Sequence, residues 1–130
     1  MIRYLSAEQV LSLHHSLADS LSGDPGIRDL NMLDAAVARP SLVFDGDDLY
    51  PTLPGKAAAL LHAVVTTAPF AAGNSATALV TAECFLNANG VTLTAADKEL
   101  QDLVMAVATG TASVEAVTIW ITQRVTERTR

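Results

Sequence analysis

Residues 66–79 read TTAPFAAGNSATAL. The stretch joins two apolar segments through Pro69-Phe70 and Gly73-Asn74, and it contains no Asp, Glu, His, Lys or Arg. Proline followed by an aromatic fixes the chain as it leaves a helix, because proline cannot continue the backbone ladder. Gly73 supplies conformational freedom, and Asn74 is suited to cap a helix that begins near Ser75. A helix start behind a glycine turn presents unpaired backbone N–H groups, the arrangement that receives anions. The simpler reading is a turn and cap between two core helices.

Working outward, residues 57–82 carry no charged side chain, and His62 is the one titratable group between Lys56 and Glu83. The length would suit a membrane span, but Pro69, Gly73, Asn74 and several threonines interrupt it, so two buried helices over about 55–67 and 75–88 are expected. Helices apolar on nearly all sides belong at the centre of a fold. Upstream, Ser6 and Gln9 form a capping box that opens a helix through Val10, Leu11, Leu13, Leu17 and Leu21. SGDPG at 22–26 is expected to end it. A short second helix is expected over about 28–39, stopped by Pro40. In residues 41–54, SLVFDGDDLYPTLP, the segments LVF and LYPTL around DGDD predict a short two-stranded flap weakened by Pro51 and Pro54. Downstream, NANG at 87–90 supplies a C-cap with Gly90 at positive φ. Thr94 is expected to start a fifth helix ending near Gly110, and Ser113 to cap a sixth. The expected fold is an all-α bundle of about six helices with a short β-flap, one domain over residues 1–130.

Composition narrows the function classes. The 130 residues are 50% hydrophobic and 17% charged, which describes a folded chain rather than a disordered one. A net charge of −6 argues against nucleic acid or a membrane surface as partner. Arg124, Arg128 and Arg130 read as a helix end matched to its dipole. The lone Cys84, in the apolar run AECFL, reads as a small core residue. MIRYLSAEQV lacks a signal-peptide pattern, and a cytoplasmic location is expected. His14 and His15 read as packing or surface residues and His62 as a core histidine, since no metal-ligand spacing links them. Asp45, Asp47 and Asp48 read as a solvated acidic turn.

The chain resembles the Fic superfamily, and within it the Doc, or death-on-curing, branch of toxin–antitoxin toxins. The resemblance runs over nearly the whole length: YLSAEQVLSLHHSL, GIRDLNMLDAAVARP, FDGDDLYPTLPGKAAALLHAV and FLNANGVTL carry it together with the central loop. Family members carry a motif of the form His-Pro-Phe-x-Asp-Gly-Asn-Lys-Arg-Thr-Ala. This chain reads Ala68-Pro69-Phe70-Ala71-Ala72-Gly73-Asn74-Ser75-Ala76-Thr77-Ala78 in the same frame. Pro69, Phe70, Gly73, Asn74, Thr77 and Ala78 match, whereas Ala68, Ala72, Ser75 and Ala76 depart at the positions that do chemistry.

What the resemblance implies at each can be put physically. Position 68 would hold the histidine that takes a proton from a target hydroxyl attacking a nucleotide phosphate; losing a general base costs about 10²–10⁴-fold. Position 72 would hold the acid that carries magnesium, and Ala72 offers no oxygen ligand on its side chain. Positions 75 and 76 would hold a Lys-Arg pair that neutralises phosphate, each charge worth about 10²–10³-fold. The resemblance therefore implies a Doc-like protein whose degenerate motif makes it a pseudoenzyme. It would need no cofactor, although the family uses ATP and Mg2+. Phe70, Gly73, Asn74, Ser75 and Ala76 would form a loop that binds phosphate or nucleotide weakly, and an antitoxin-like peptide would be the partner. The alternative is an active phosphotransferase or AMP-transferring enzyme that modifies a protein hydroxyl, such as one on a translation factor. Composition is compatible with either a monomer or a dimer.

Overall fold

The computed structural model describes residues 1–17 and 26–127. Among these, helix α1 (Ala7–Ser16) starts at the expected capping box: Ser6 Oγ accepts from Gln9 N at 3.2 Å, and Gln9 returns its side-chain oxygen to Ser6 N at 2.8 Å. The helix closes at Leu17, so it is shorter than the apolar pattern suggested. Leu21 and residues 22–25 of the expected stop lie outside the described residues. Helix α2 (Leu30–Ala38) begins two residues later than expected because Asp29 caps it, accepting from Met32 N at 3.2 Å. A 3-10 turn at Arg39–Ser41 carries Pro40 within it.

The flap is smaller than LVF and LYPTL implied. Strand β1 (Val43–Phe44) pairs antiparallel with β2 (Asp47–Asp48), and Leu49 N donates to Leu42 O at 2.9 Å. Asp45 and Gly46 turn the chain with φ of 53° and 85°, the pair of positive values that suits the twist of a two-residue hairpin. Pro51 then has no N–H to extend the ladder.

Helix α3 (Leu53–Thr67) is capped by Thr52 Oγ1, which accepts from Gly55 N at 3.0 Å, and is buried on most of its surface. It packs against α2, α4 (Asn74–Ala88), α5 (Asp97–Ala108) and α6 (Val114–Thr122), and Ala57, Ala58, Ala78 and Ala82 contribute small side chains to their shared core. Phe85, Leu86, Val107, Val117 and Ile121 fill the remainder of that core. Lys56 is also buried, at 1% exposure. Its ammonium donates to Pro40 O at 3.1 Å and Asp48 Oδ2 at 3.2 Å, and lies 5.5 Å from the centre of the Tyr4 ring. One cation thus ties the N-terminal segment and the flap to the central helix. Asp48 is exposed, as Asp45 and Asp47 are, so the acidic turn is solvated as expected, and Asp48 in addition pairs with Lys56.

Gly90 takes φ 80° after α4, as its place in NANG requires. A second small sheet was not anticipated: β3 (Val91–Leu93) pairs antiparallel with β4 (Val125–Glu127), and Thr94 N extends the ladder to Arg124 O at 2.9 Å. That use of Thr94 displaces the start of α5, where Glu99 instead reaches back to Ala96 N at 3.1 Å. Ser113 caps α6 as expected, accepting from Ala116 N at 3.2 Å. Arg124 lies past the helix end, stacked 4.1 Å over Trp120 and paired with Glu99 at 3.0 Å. Arg128 and Arg130 lie outside the described residues. Cys84 and His62 are half-buried rather than core.

Candidate functional site

The loop between α3 and α4 begins with a backbone reversal. Ala68 adopts the left-handed region, φ 46° and ψ 62°, and its N–H still reaches Val64 O at 3.2 Å. A non-glycine residue there is strained by about 1 kcal/mol or more. Arg28, 40 residues away in sequence, meets the helix end: its Nε donates to Ala68 O at 2.7 Å and its Nη2 to Thr67 O at 2.6 Å. These carbonyls sit at the negative end of α3, so a guanidinium both satisfies them and complements the dipole.

The same segment lines the loop with its backbone. Arg28 N and Asp29 N donate to Pro69 O at 2.7 and 2.9 Å, Ala71 N donates to Gly26 O at 2.9 Å, and Ile27 bridges Phe70. Residues 26–29 therefore form a strap along residues 69–71. Phe70 is buried at 1% exposure, and the His14 ring stacks on it at 3.8 Å with planes 5° apart. His14 Nε2 donates to Ala72 O at 2.9 Å. His14 is thus a buried latch on the loop, which narrows the packing-or-surface expectation. Its signal was the i, i+4 spacing from the buried Val10 on one face of α1.

Asn74 does not cap α4. Gly73 holds the N-cap place at φ 77°, and Asn74 is the first helical residue. Its amide closes the loop on itself, with Oδ1 accepting from Phe70 N and Nδ2 donating to Phe70 O, both at 3.0 Å. No side chain caps α4. The first helical N–H bond runs from Thr77 to Gly73 O at 3.0 Å, so the amides of Asn74, Ser75 and Ala76 lack helical acceptors.

The frame therefore comes from Arg28, His14 and Asn74, while Ala68, Ala72, Ser75 and Ala76 sit half-buried within it. Magnesium does not fit this set of residues. Position 72 carries a methyl group and its carbonyl is taken by His14, and no group of three or more His, Cys, Asp or Glu able to hold a metal occurs among the described residues. A hard cation needs several oxygen ligands, usually with at least one carboxylate.

A model of the Fic/DOC family matches residues 4–86, which take in α1 to α3, the loop and most of α4. The chain belongs to the Fic/DOC family. It is similar to a protein named Toxin Doc from Mycolicibacterium smegmatis (strain ATCC 700084 / mc(2)155), with 41% identity over 120 residues, 90% of this chain and 89% of that one. The predominantly helical fold of this Fic/DOC chain agrees with the resemblance seen in its sequence. No helix among the described residues is long and apolar enough to cross a membrane.

Proposed function

We propose that this chain is a Doc-like member of a toxin–antitoxin pair that has kept the shape of a phosphoryl-transfer loop and lost its chemistry. One observation carries this reading. The loop is held by hydrogen bonds from Arg28, His14 and Asn74, while Ala68, Ala72, Ser75 and Ala76 stand where family members place the base, the acid and the two cations. The amides of Asn74, Ser75 and Ala76 form a cradle for a phosphate, with Phe70 and Gly73 setting its shape. Without side-chain cations the affinity is expected in the millimolar range, about −4 kcal/mol. The biological partner is an antitoxin-like peptide in the groove beside the loop, consistent with the name of the similar protein.

The test is label transfer from α- and γ-labelled ATP, with magnesium, to protein hydroxyls. No transfer is expected from the pure protein. Magnesium-dependent transfer would refute the pseudoenzyme reading and favour an active phosphotransferase or AMP-transferring enzyme. Restoring A68H, A72D, S75K and A76R together is expected to return transfer or toxicity, because the frame that positions them is present.

A further inference from the structure

A small hollow with a mostly apolar lining lies outside the motif loop, between α2 and α3. It measures about 180 Å³ and is lined by alanines together with Arg39, His62, Thr66 and Thr67. That is below the roughly 300–1,000 Å³ of sites for drug-sized ligands, and it suits one compact ion rather than a nucleotide. Its two ionisable residues are both of the cationic kind. The described ion pairs are Lys56–Asp48, Lys98–Asp102 and Arg124–Glu99, and none uses Arg39, whose Nη2 donates to Tyr50 Oη at 3.2 Å. In a chain of net charge −6, a guanidinium and an imidazole line one hollow whose lining includes no carboxylate, although Glu115 on α6 lies within electrostatic reach of His62.

The two threonines refine the chemistry. Thr66 Oγ1 donates to His62 O at 2.8 Å, and Thr67 Oγ1 to Ala63 O at 2.6 Å. Their protons are committed, so toward a ligand these hydroxyls act as acceptors. An ion that suits the lining accepts from Arg39 and from His62 in its protonated form, and an O–H of its own can donate to a threonine.

We propose that this hollow binds one phosphate-type oxyanion, free or carried on a partner's side chain, through Arg39 and His62. Hydrogen phosphate meets both demands, whereas sulfate has the shape and charge without the proton. The lining ends at Thr67, next to the loop of residues 68–76, but its ligands Arg39 and His62 lie outside that loop, and the proposal does not depend on the reading of it. Electrostatics tie the two residues together and set the pH condition: burial first, then the Arg39 guanidinium, hold the His62 pKa below its ordinary value of 6.5, so the imidazolium that donates to an anion forms on the acid side of that value. Glu115 on α6 and a hydrogen bond to the Ala112 backbone act in the opposite direction. A bound anion offsets the repulsion from Arg39, so it raises the His62 pKa. By linkage, affinity rises as pH falls through that titration.

The experiment follows the His62 ring by NMR from pH 5 to 8, with and without inorganic phosphate, in the full chain. Phosphate is expected to raise the His62 midpoint by about half a pH unit or more. Sulfate should raise it less, and Arg39→Met should abolish the shift. Arg39→Lys, which keeps the charge but loses the fork, should retain part of it and guards against a folding defect in the first variant. Glu115→Gln should tighten phosphate binding by removing a competing carboxylate. An arm with O-phosphothreonine separates the sources: a shift equal to that of phosphate points to a phosphorylated partner, and a shift with phosphate alone points to the free ion. The proposal is overturned if neither probe moves the His62 midpoint, or if Arg39→Met keeps the full shift. It is equally overturned if phosphate perturbs only the amides of Asn74, Ser75 and Ala76, an outcome that would instead support anion binding at the motif loop.

Discussion

Replacing Arg28 by alanine tests whether the motif loop is held from outside. The side chain makes two hydrogen bonds, to Thr67 O at 2.6 Å and to Ala68 O at 2.7 Å. Charged donors to neutral acceptors contribute about 1.5–3 kcal/mol each. Arg28 is exposed, and water can replace it at both carbonyls, so the pair is set below that range, at about 2 kcal/mol together. Near 60 °C the unfolding entropy of globular proteins is about 2.1 cal/mol/K per residue. For 130 residues that is about 0.27 kcal/mol/K, so Arg28→Ala is expected to lower Tm by about 7 °C. Arg28→Lys should recover less than half of the loss, since an ammonium lacks the two-pronged geometry. Circular dichroism melts give the global value, and amide hydrogen exchange localises it. The Ala71 amide, bonded to Gly26 O at 2.9 Å, should exchange faster in the alanine variant, whereas the core of α3 should change only with global stability. An unchanged melt with unchanged exchange at Ala71 would refute the clamp.

Two further perturbations address charges elsewhere. Asp48→Ala leaves the Lys56 ammonium buried with only Pro40 O and the Tyr4 ring, and is expected to cost about 3 kcal/mol, whereas Lys56→Met removes the buried charge with its partner's need and should cost less; urea midpoints give the order, and the reverse order would show that the flap does not depend on this pairing. Burial and then the nearby Asp97 raise the pKa of Glu83, so the folded state holds its proton more tightly than the unfolded chain. The sign follows: this stabilisation is complete below the ordinary carboxylate range and is lost as pH rises through the raised pKa. Glu83→Gln should therefore melt above the wild type at pH 7, with the difference fading below about pH 4, and a difference constant across pH would contradict the assignment.

The features legible in the sequence are those written within a few residues. The capping box at Ser6 and Gln9, the Ser113 cap and the positive φ of Gly90 depend on neighbours three positions away or fewer, and each appears in the structure. The placement of α3 and α4 followed from an apolar run interrupted by Pro69 and Gly73. What escaped the reading lies across long separations. Arg28 reaches Ala68 over 40 residues and His14 reaches Ala72 over 58, and no local pattern marks an exposed arginine as the partner of a distant helix end. The β3–β4 pairing, which also moved the start of α5 away from Thr94, joins residues near 92 and 126. Asn74 was misassigned for a different reason. Its type favours a cap, but Gly73 occupies that place at φ 77°, and the amide was free to close the loop. Lys56 inverted the usual rule, since three partners of three chemical kinds surround its ammonium.

The division between frame and occupants in the loop has a consequence for how this chain explores sequence space. Because Arg28, His14 and Asn74 fix the path of the backbone, the side chains at 72, 75 and 76 are nearly independent variables, whereas position 68, at φ 46°, disfavours β-branched residues. A library randomised at positions 72, 75 and 76 should yield mostly folded proteins. The three frame residues act as a fixed address at which different chemistries can be installed, exchanged or deleted one codon at a time.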